Sequence, residues 1–178
     1  DRSVSRGLGD VYKRQVYTPL NNSEKYTLVL MGRADFGLLG SYNKYKQTPF
    51  ETFHVGGDGM TGSYTYATET IGLRGYDNGA LTPYSDGRAY TRFSMELHFP
   101  FLLQPSSTIY GLAFVEGGNA WTSLENFNPF SLKRSAGVGV RIFLPMIGLM
   151  GIDWAYGFDK VQGEKGGGHF HFILGQEF

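Results

Sequence analysis

The feature that most constrains the fold is a strict alternation of apolar and polar side chains between Arg88 and Phe99. Successive side chains of a β-strand point to opposite faces of the sheet, so this period of two predicts a strand with one apolar and one strongly polar face. The odd positions carry Ala89, Thr91, Phe93, Met95, Leu97 and Phe99, and the even positions carry Arg88, Tyr90, Arg92, Ser94, Glu96 and His98.

Five further segments repeat this pattern and are separated by residues that favour turns. They span residues 26–38, 107–121, 132–144, 147–158 and 168–178. The stretch from Pro100 to Pro105 is predicted to be a turn, because proline cannot donate a ladder hydrogen bond. Strand lengths of about 10 to 13 residues suit strands that cross a bilayer at a tilt. The sequence therefore predicts an all-β fold with about six antiparallel strands.

Strand length and the placement of aromatic residues favour a transmembrane β-barrel over a soluble sandwich or lipocalin, which alternation alone leaves open. Charged residues fall on the polar faces, with the exception of Arg134 near a strand start. Trp154 and Tyr156 share one predicted outward face, as in the aromatic girdles of membrane barrels. In the strand that follows Arg88, we expect Met95 to meet lipid together with Phe93 and Leu97. We expect Arg92, Ser94 and Glu96 to face the lumen.

Composition excludes several classes of function. The formal net charge is zero, which gives no electrostatic basis for a nucleic-acid partner, and the absence of cysteine removes disulfides and thiolate metal sites. His169 and His171 lie on one face of a predicted strand, about 7 Å apart, and could ligate a metal, but no third ligand accompanies them. The glycine-rich segments indicate turns rather than phosphate loops. We therefore predict no enzyme activity, no cofactor and no metal.

The first fifteen residues differ from the rest of the chain. Residues 1–15 carry four cations and two anions without alternation, and they are interpreted as a non-native or disordered leader outside the fold. The barrel segment is then 16–178. No secretory signal peptide is visible, so an outer-membrane location implies that the native N-terminus lies upstream.

The longest connection between predicted strands covers residues 41–87. Connections of this length are uncommon and are usually functional. Near its centre, the stretch Ile71–Asp77 includes Arg74, Gly75 and Tyr76, which supply a planar cation, a flexible position and an aromatic ring. Arg-Gly-Tyr alone would indicate an ordinary surface turn, so its interpretation depends on the neighbouring motifs.

That context is a set of motifs in a specific order: Pro49–Gly57 before the loop tip, Phe114–Trp121 after it, and an aromatic C-terminus. From residue 25 to the end, the chain resembles the BamA-type outer-membrane assembly factors, whose barrel carries a surface-antigen-type domain. The resemblance implies the C-terminal part of an antiparallel transmembrane β-barrel in a bacterial outer membrane. In the family, the barrel has further strands and follows periplasmic POTRA domains.

The resemblance also implies a site and a mechanism. The loop folds back into the lumen, where Arg74 meets acidic partners, here Glu116 and Asp153 on the polar faces of their strands. The last strand, with Gly175 and Phe178, forms a weakly paired seam at which a substrate strand is added.

The implied function is the assembly and insertion of barrel proteins into the outer membrane. The partners are nascent outer-membrane proteins, accessory assembly lipoproteins and the lipid bilayer. The alternatives are a two-partner-secretion-type polypeptide transporter of the same superfamily and a passive outer-membrane pore. A soluble ligand-binding barrel is a more distant one. The number of POTRA domains would separate assembly from secretion.

Overall fold

A long antiparallel sheet dominates the computed structural model, which describes residues 8–21, 27–40, 52–59, 68–104, 107–146, 148–161 and 167–175. The strands within these ranges are β1 (Leu8–Pro19), β2 (Val29–Gly40), β3 (Thr52–Val55), β4 (Thr68–Ile71), β5 (Ala89–Gln104), β6 (Ser107–Trp121), β7 (Lys133–Leu144), β8 (Gly148–Gly157) and β9 (Gly168–Leu174). Two single 3₁₀ turns cover Pro83–Ser85 and Leu124–Asn126. Among the described residues, no helix is long and apolar enough to span a bilayer.

Seven strands pair in the order β1-β2-β5-β6-β7-β8-β9, and every neighbouring pair is antiparallel. This arrangement confirms the predicted antiparallel all-β fold. Within the described part of the chain, β1 and β9 form the two edges of the sheet.

The end of β5 differs from the prediction. The strand continues through Pro100 to Gln104, where a turn was expected, and its register against β6 shifts between Pro100 and Leu102. The residue without a partner on β6 is Phe101, and a β-bulge disrupts the ladder locally, so the neighbouring Pro100 is tolerated without an N–H to donate.

Strand β1 is a second difference. Leu8–Gln15 was expected to lie outside the fold, but these residues pair with β2 along their whole length. The prediction of a disordered leader is therefore wrong for these residues. Ladder hydrogen bonds use main-chain groups that almost every residue has, so the pairing does not depend on a matched side-chain pattern. Their non-native origin stays a prediction.

The two faces of the sheet have different side chains. We call the face that the long loop covers the inner face, and the opposite one the outer face. Large apolar side chains are exposed on the outer face: Met95, Val115, Val138, Ile152, Trp154, Tyr156, Phe170 and Phe172. The inner face buries charged and polar groups, including Asp35, Glu96, Glu116, Arg141 and Asp153. An apolar outer face and a polar inner face are typical of a membrane barrel.

The long loop has structure of its own. Strands β3 and β4 pair in parallel as a small second sheet, and Gly57 forms an isolated bridge with Leu73. Apolar side chains of the loop pack against Tyr90 of β5 and Ala120 of β6. The loop side of this cluster consists of Phe53, Val55, Ile71, Leu73, Tyr76 and Leu81. A hydrophobic contact thus holds the loop on the inner face and places its tip among the buried charges.

Candidate functional site

The backbone of the loop tip is shaped to approach the sheet closely. Gly75 has φ +90, in the left-handed region that favours glycine. A Cβ at this position would lie 2.9 Å from the Cβ of Ser135 on β7 and 3.0 Å from the backbone nitrogen of Gly157 on β8. Both the conformation and the space therefore require glycine after Arg74.

The side chain of Arg74 is buried and contacts carboxylates from three strands. Its Nη2 donates to Oε1 of Glu116 on β6 at 2.6 Å, and its Nη1 donates to Oδ2 of Asp153 on β8 at 2.9 Å. Nη2 also pairs with Oε1 of Glu96 on β5. The backbone N–H of Arg74 donates to Oε2 of Glu116 at 2.9 Å. The structure thus brings together the three residues that the sequence pointed to and adds Glu96 as a third carboxylate.

An aromatic ring completes this arrangement, which we call the Arg74 pocket. The guanidinium carbon lies 3.5 Å from the ring centroid of Phe114, a cation–π distance. Burial alone would lower the pKa of Arg74, but the carboxylates of Glu116, Glu96 and Asp153 raise it well above its ordinary value. The side chain therefore stays charged, and charge-assisted hydrogen bonds fix its position.

Each carboxylate of the pocket also has a partner that belongs to the sheet itself. Glu116 accepts from Arg92 at 3.2 Å and from Ser94 at 3.0 Å. Asp153 accepts from Nη2 of Arg141 at 2.8 Å, and Glu96 lies 2.9 Å from Nε2 of His98. Removal of the loop would therefore leave none of these three acids without a hydrogen-bond partner.

The two residues after Arg74 bind neighbouring strands. The backbone N–H of Gly75 donates to Nε2 of His171 on β9 at 2.9 Å. The hydroxyl of Tyr76 donates to the carbonyl of Arg134 on β7 at 2.6 Å and accepts from the backbone N–H of Asp159 at 3.4 Å.

Of the two predicted seam residues, the structure describes Gly175. Gly175 has φ +109, follows β9 directly, and donates its N–H to the carbonyl of Leu149 at 2.8 Å. A Cβ there would meet no atom within 4 Å, so glycine is favoured at this position by its conformation and not by space. Phe178 lies outside the described residues.

Several residues of the pocket were not singled out from the sequence. Glu96, Arg92 and Arg141 could be placed on polar faces by the period of two, but not in the pocket, because alternation does not give the register between strands. His171 was considered as a metal ligand with His169. In the structure, these two imidazoles instead contact the loop tip, at Gly75 and at Asp77.

A glycine beside Asp153 offers a test of the pocket. A Cβ on Gly139 would overlap Oδ1 of Asp153, whereas a Cβ on Gly32 would meet nothing within 4 Å. We expect Gly139→Ala to displace the Asp153 carboxylate and make the loop accessible to protease. Gly32→Ala, a matched change in another strand, should leave cleavage unchanged. Equal cleavage in the two variants would show that the position of Asp153 does not hold the loop.

Comparisons with known proteins agree with this architecture. Residues 10–178 match the family model for the Omp85 superfamily domain. The fold is similar to a crystal structure of BamA from Haemophilus ducreyi lacking POTRA domains 1–3, with a TM-score of 0.59 and 20% sequence identity. That match covers 92% of this chain and 34% of the BamA chain. Curated protein sequences gave no significant match. The chain belongs to the Omp85 superfamily and has the fold of the C-terminal part of its outer-membrane β-barrel, as the motifs predicted.

Proposed function

We propose that the protein to which this chain belongs assembles nascent β-barrel proteins and inserts them into the bacterial outer membrane. The observation that carries the proposal is the Arg74 pocket, in which one loop cation is held by carboxylates of β5, β6 and β8. An arrangement that fixes a long loop against three strands of the inner face would be unnecessary for a passive pore. Its role in the proposed function is to hold the loop in one position.

The physical means of assembly lies at the edge of the sheet. Within the described residues, β9 pairs with β8 on one side, and its seven residues make it the shortest strand of the large sheet. An edge strand presents unpaired N–H and C=O groups, onto which an incoming strand adds by β-augmentation. The outer face beside it carries Phe170 and Phe172, which suit contact with lipid.

The partners of this function are nascent outer-membrane proteins, accessory assembly lipoproteins and the bilayer. None of its steps requires covalent chemistry, a nucleotide or a metal, because main-chain hydrogen bonds and apolar burial supply the driving force. The experiment is reconstitution of the intact protein in lipid vesicles, followed by measurement of the rate at which an unfolded barrel substrate becomes inserted. A rate equal to that of empty vesicles would contradict the proposal.

A secretion transporter of the same superfamily is the second candidate. The observation that favours it is that each acid of the Arg74 pocket keeps a sheet-borne partner when the loop is absent. Because the loop can leave the lumen without leaving a buried carboxylate unpaired, the lumen could open as a path for a polypeptide. Release of a polypeptide across vesicles, without insertion of barrel substrates, would favour this candidate.

A cysteine tether tests the edge of β9. We expect a disulfide between Leu174→Cys and the barrel strand that faces this edge to block substrate insertion, because the incoming strand can no longer pair there. The control keeps the same cysteine and joins it to Met150→Cys, its register partner on β8. This second tether should leave insertion unchanged. Full activity with the first disulfide completely formed would exclude assembly at this edge.

A further inference from the structure

The loop tip contacts the edge strand directly, through two histidines. His169 and His171 lie two residues apart on the inner face of β9, with ring centroids 6.2 Å apart. Nε2 of His171 accepts the backbone N–H of Gly75 at 2.9 Å, and Nδ1 of His169 lies 3.2 Å from Oδ1 of Asp77. Two neighbouring inner-face positions of β9 therefore contact the loop tip, one at Gly75 and the other at Asp77.

We propose that His171 is a latch that joins the loop tip to β9, so that the position of the loop determines how firmly the edge strand is held. The inference rests on the proposed function, in which β9 is the strand that receives the substrate. His171 is a positioning residue in this scheme, since it acts through the loop and does not itself contact a substrate.

Burial decides which histidine matters more. His171 is 6% exposed, and its hydrogen bond satisfies an amide at a tip that lies against β7 and β8. A buried N–H without an acceptor is costly, so loss of this bond would loosen the tip and the strand together. In contrast, the side chains of His169 and Asp77 are 30% and 77% exposed, and water screens their interaction. The latch therefore depends mainly on His171.

Gly75 directly follows Arg74, and this position links the latch to the Arg74 pocket. The preceding residue, Arg74, contacts carboxylates of β5, β6 and β8, and the N–H of Gly75 contacts β9. Two adjacent residues thus connect the charged interior to the edge of the sheet. When the Arg74 pocket is vacated, the hydrogen bond to His171 is lost in the same movement, while the ladder between β9 and β8 remains.

The chemistry of the bond specifies the substitutions that test it. The latch needs an acceptor at Nε2, so the imidazole there carries no proton while it accepts from Gly75. Glutamine places a carbonyl oxygen at a similar reach and keeps an acceptor, whereas leucine has a similar volume and none. His171→Gln and His171→Leu are therefore a matched pair that separates hydrogen bonding from packing.

The experiment measures amide hydrogen exchange in the intact protein in lipid vesicles without substrate. We expect His171→Leu to speed exchange of the β9 amides by about tenfold, as for loss of one buried hydrogen bond, with β6 unchanged. His171→Gln should restore most of the protection. Arg74→Ala should also speed exchange in β9, although the carboxylates that hold Arg74 lie on β5, β6 and β8, and this is an effect that a purely local role of His171 would not produce.

The outcomes separate the latch from the proposed function. Unchanged exchange in His171→Leu, or equal exchange in the Gln and Leu variants, would overturn the latch, because the acceptor would then be irrelevant to β9. Protection of β9 in Arg74→Ala at the wild-type level would also overturn it. The exchange measurement needs no substrate, so a wild-type protein that inserts none would contradict the proposed function and leave the latch intact.

Discussion

Arg74→Ala is expected to slow the insertion of substrate barrels by more than about tenfold while the protein itself remains folded in the membrane. The change removes the cation on which three carboxylates converge, so the loop tip loses its charged anchor and, with it, the bond of Gly75 to His171. We expect the loop to become protease-sensitive. The measurements are insertion kinetics in vesicles and limited proteolysis of the same samples.

The barrel is expected to survive this change because its charges remain nearly balanced. The inner-face network contains four arginines (Arg33, Arg74, Arg92 and Arg141) and four carboxylates (Asp35, Glu96, Glu116 and Asp153). Without Arg74, three arginines remain for the four acids, and His98 lies beside Glu96. A buried carboxylate with no partner would be strongly destabilising, but the sheet-borne partners prevent that situation.

Two further variants define the result. Arg74→Lys should restore part of the activity, because an ammonium keeps the charge but cannot bridge several carboxylates in one plane. Lys133→Ala is the matched control, since its ammonium donates to the carbonyl of Lys160 at 2.9 Å in an exposed contact outside the Arg74 pocket. It should insert substrates at the wild-type rate. Wild-type insertion by Arg74→Ala, with the loop cleaved, would show that the docked loop is not needed for assembly.

Much of the fold could be predicted because each strand carries its own signal. The period of two located β2 and β5 to β9, and its parity placed Glu116 and Asp153 on the face that the loop covers. The resemblance to the family then singled out Arg74. A local pattern is sufficient for these conclusions, because parity is a property of one strand and does not depend on its neighbours.

The rest of the pocket depends on contacts between distant residues. Glu96 reaches Arg74 because Glu96 pairs with Phe114 across β5 and β6, a register that alternation does not reveal. Gly75 precedes His171 by 96 residues in the chain, and the two meet only because the loop folds across the inner face. Strand β1 was missed for a different reason, since main-chain pairing requires no side-chain alternation.

The structure also changes how the membrane face is best tested. Ser94, expected to face the lumen, does lie on the inner face, but it is 4% exposed and donates to Glu116. A charge there would disturb the Arg74 pocket, so Ser94 cannot serve as the neutral control for a substitution of Met95. A position on the outer face at another depth is the better comparison, because the cost of a charge facing lipid depends on depth.

Met95→Arg is therefore expected to lower the free energy of unfolding by roughly 2–4 kcal/mol, and Phe101→Arg by about 0–1 kcal/mol. Both side chains are exposed on the outer face, at 52% and 65%, but Met95 lies near the middle of β5 and Phe101, whose ring lies beside Gly111 of β6, near its end. The first arginine must remain in the hydrocarbon, whereas the second reaches the interface. The measurement is reversible denaturant unfolding of the intact protein in lipid vesicles. Equal costs in the two variants would mean that Met95 does not face the bilayer core, and the assignment of the outer face in β5 would then be wrong.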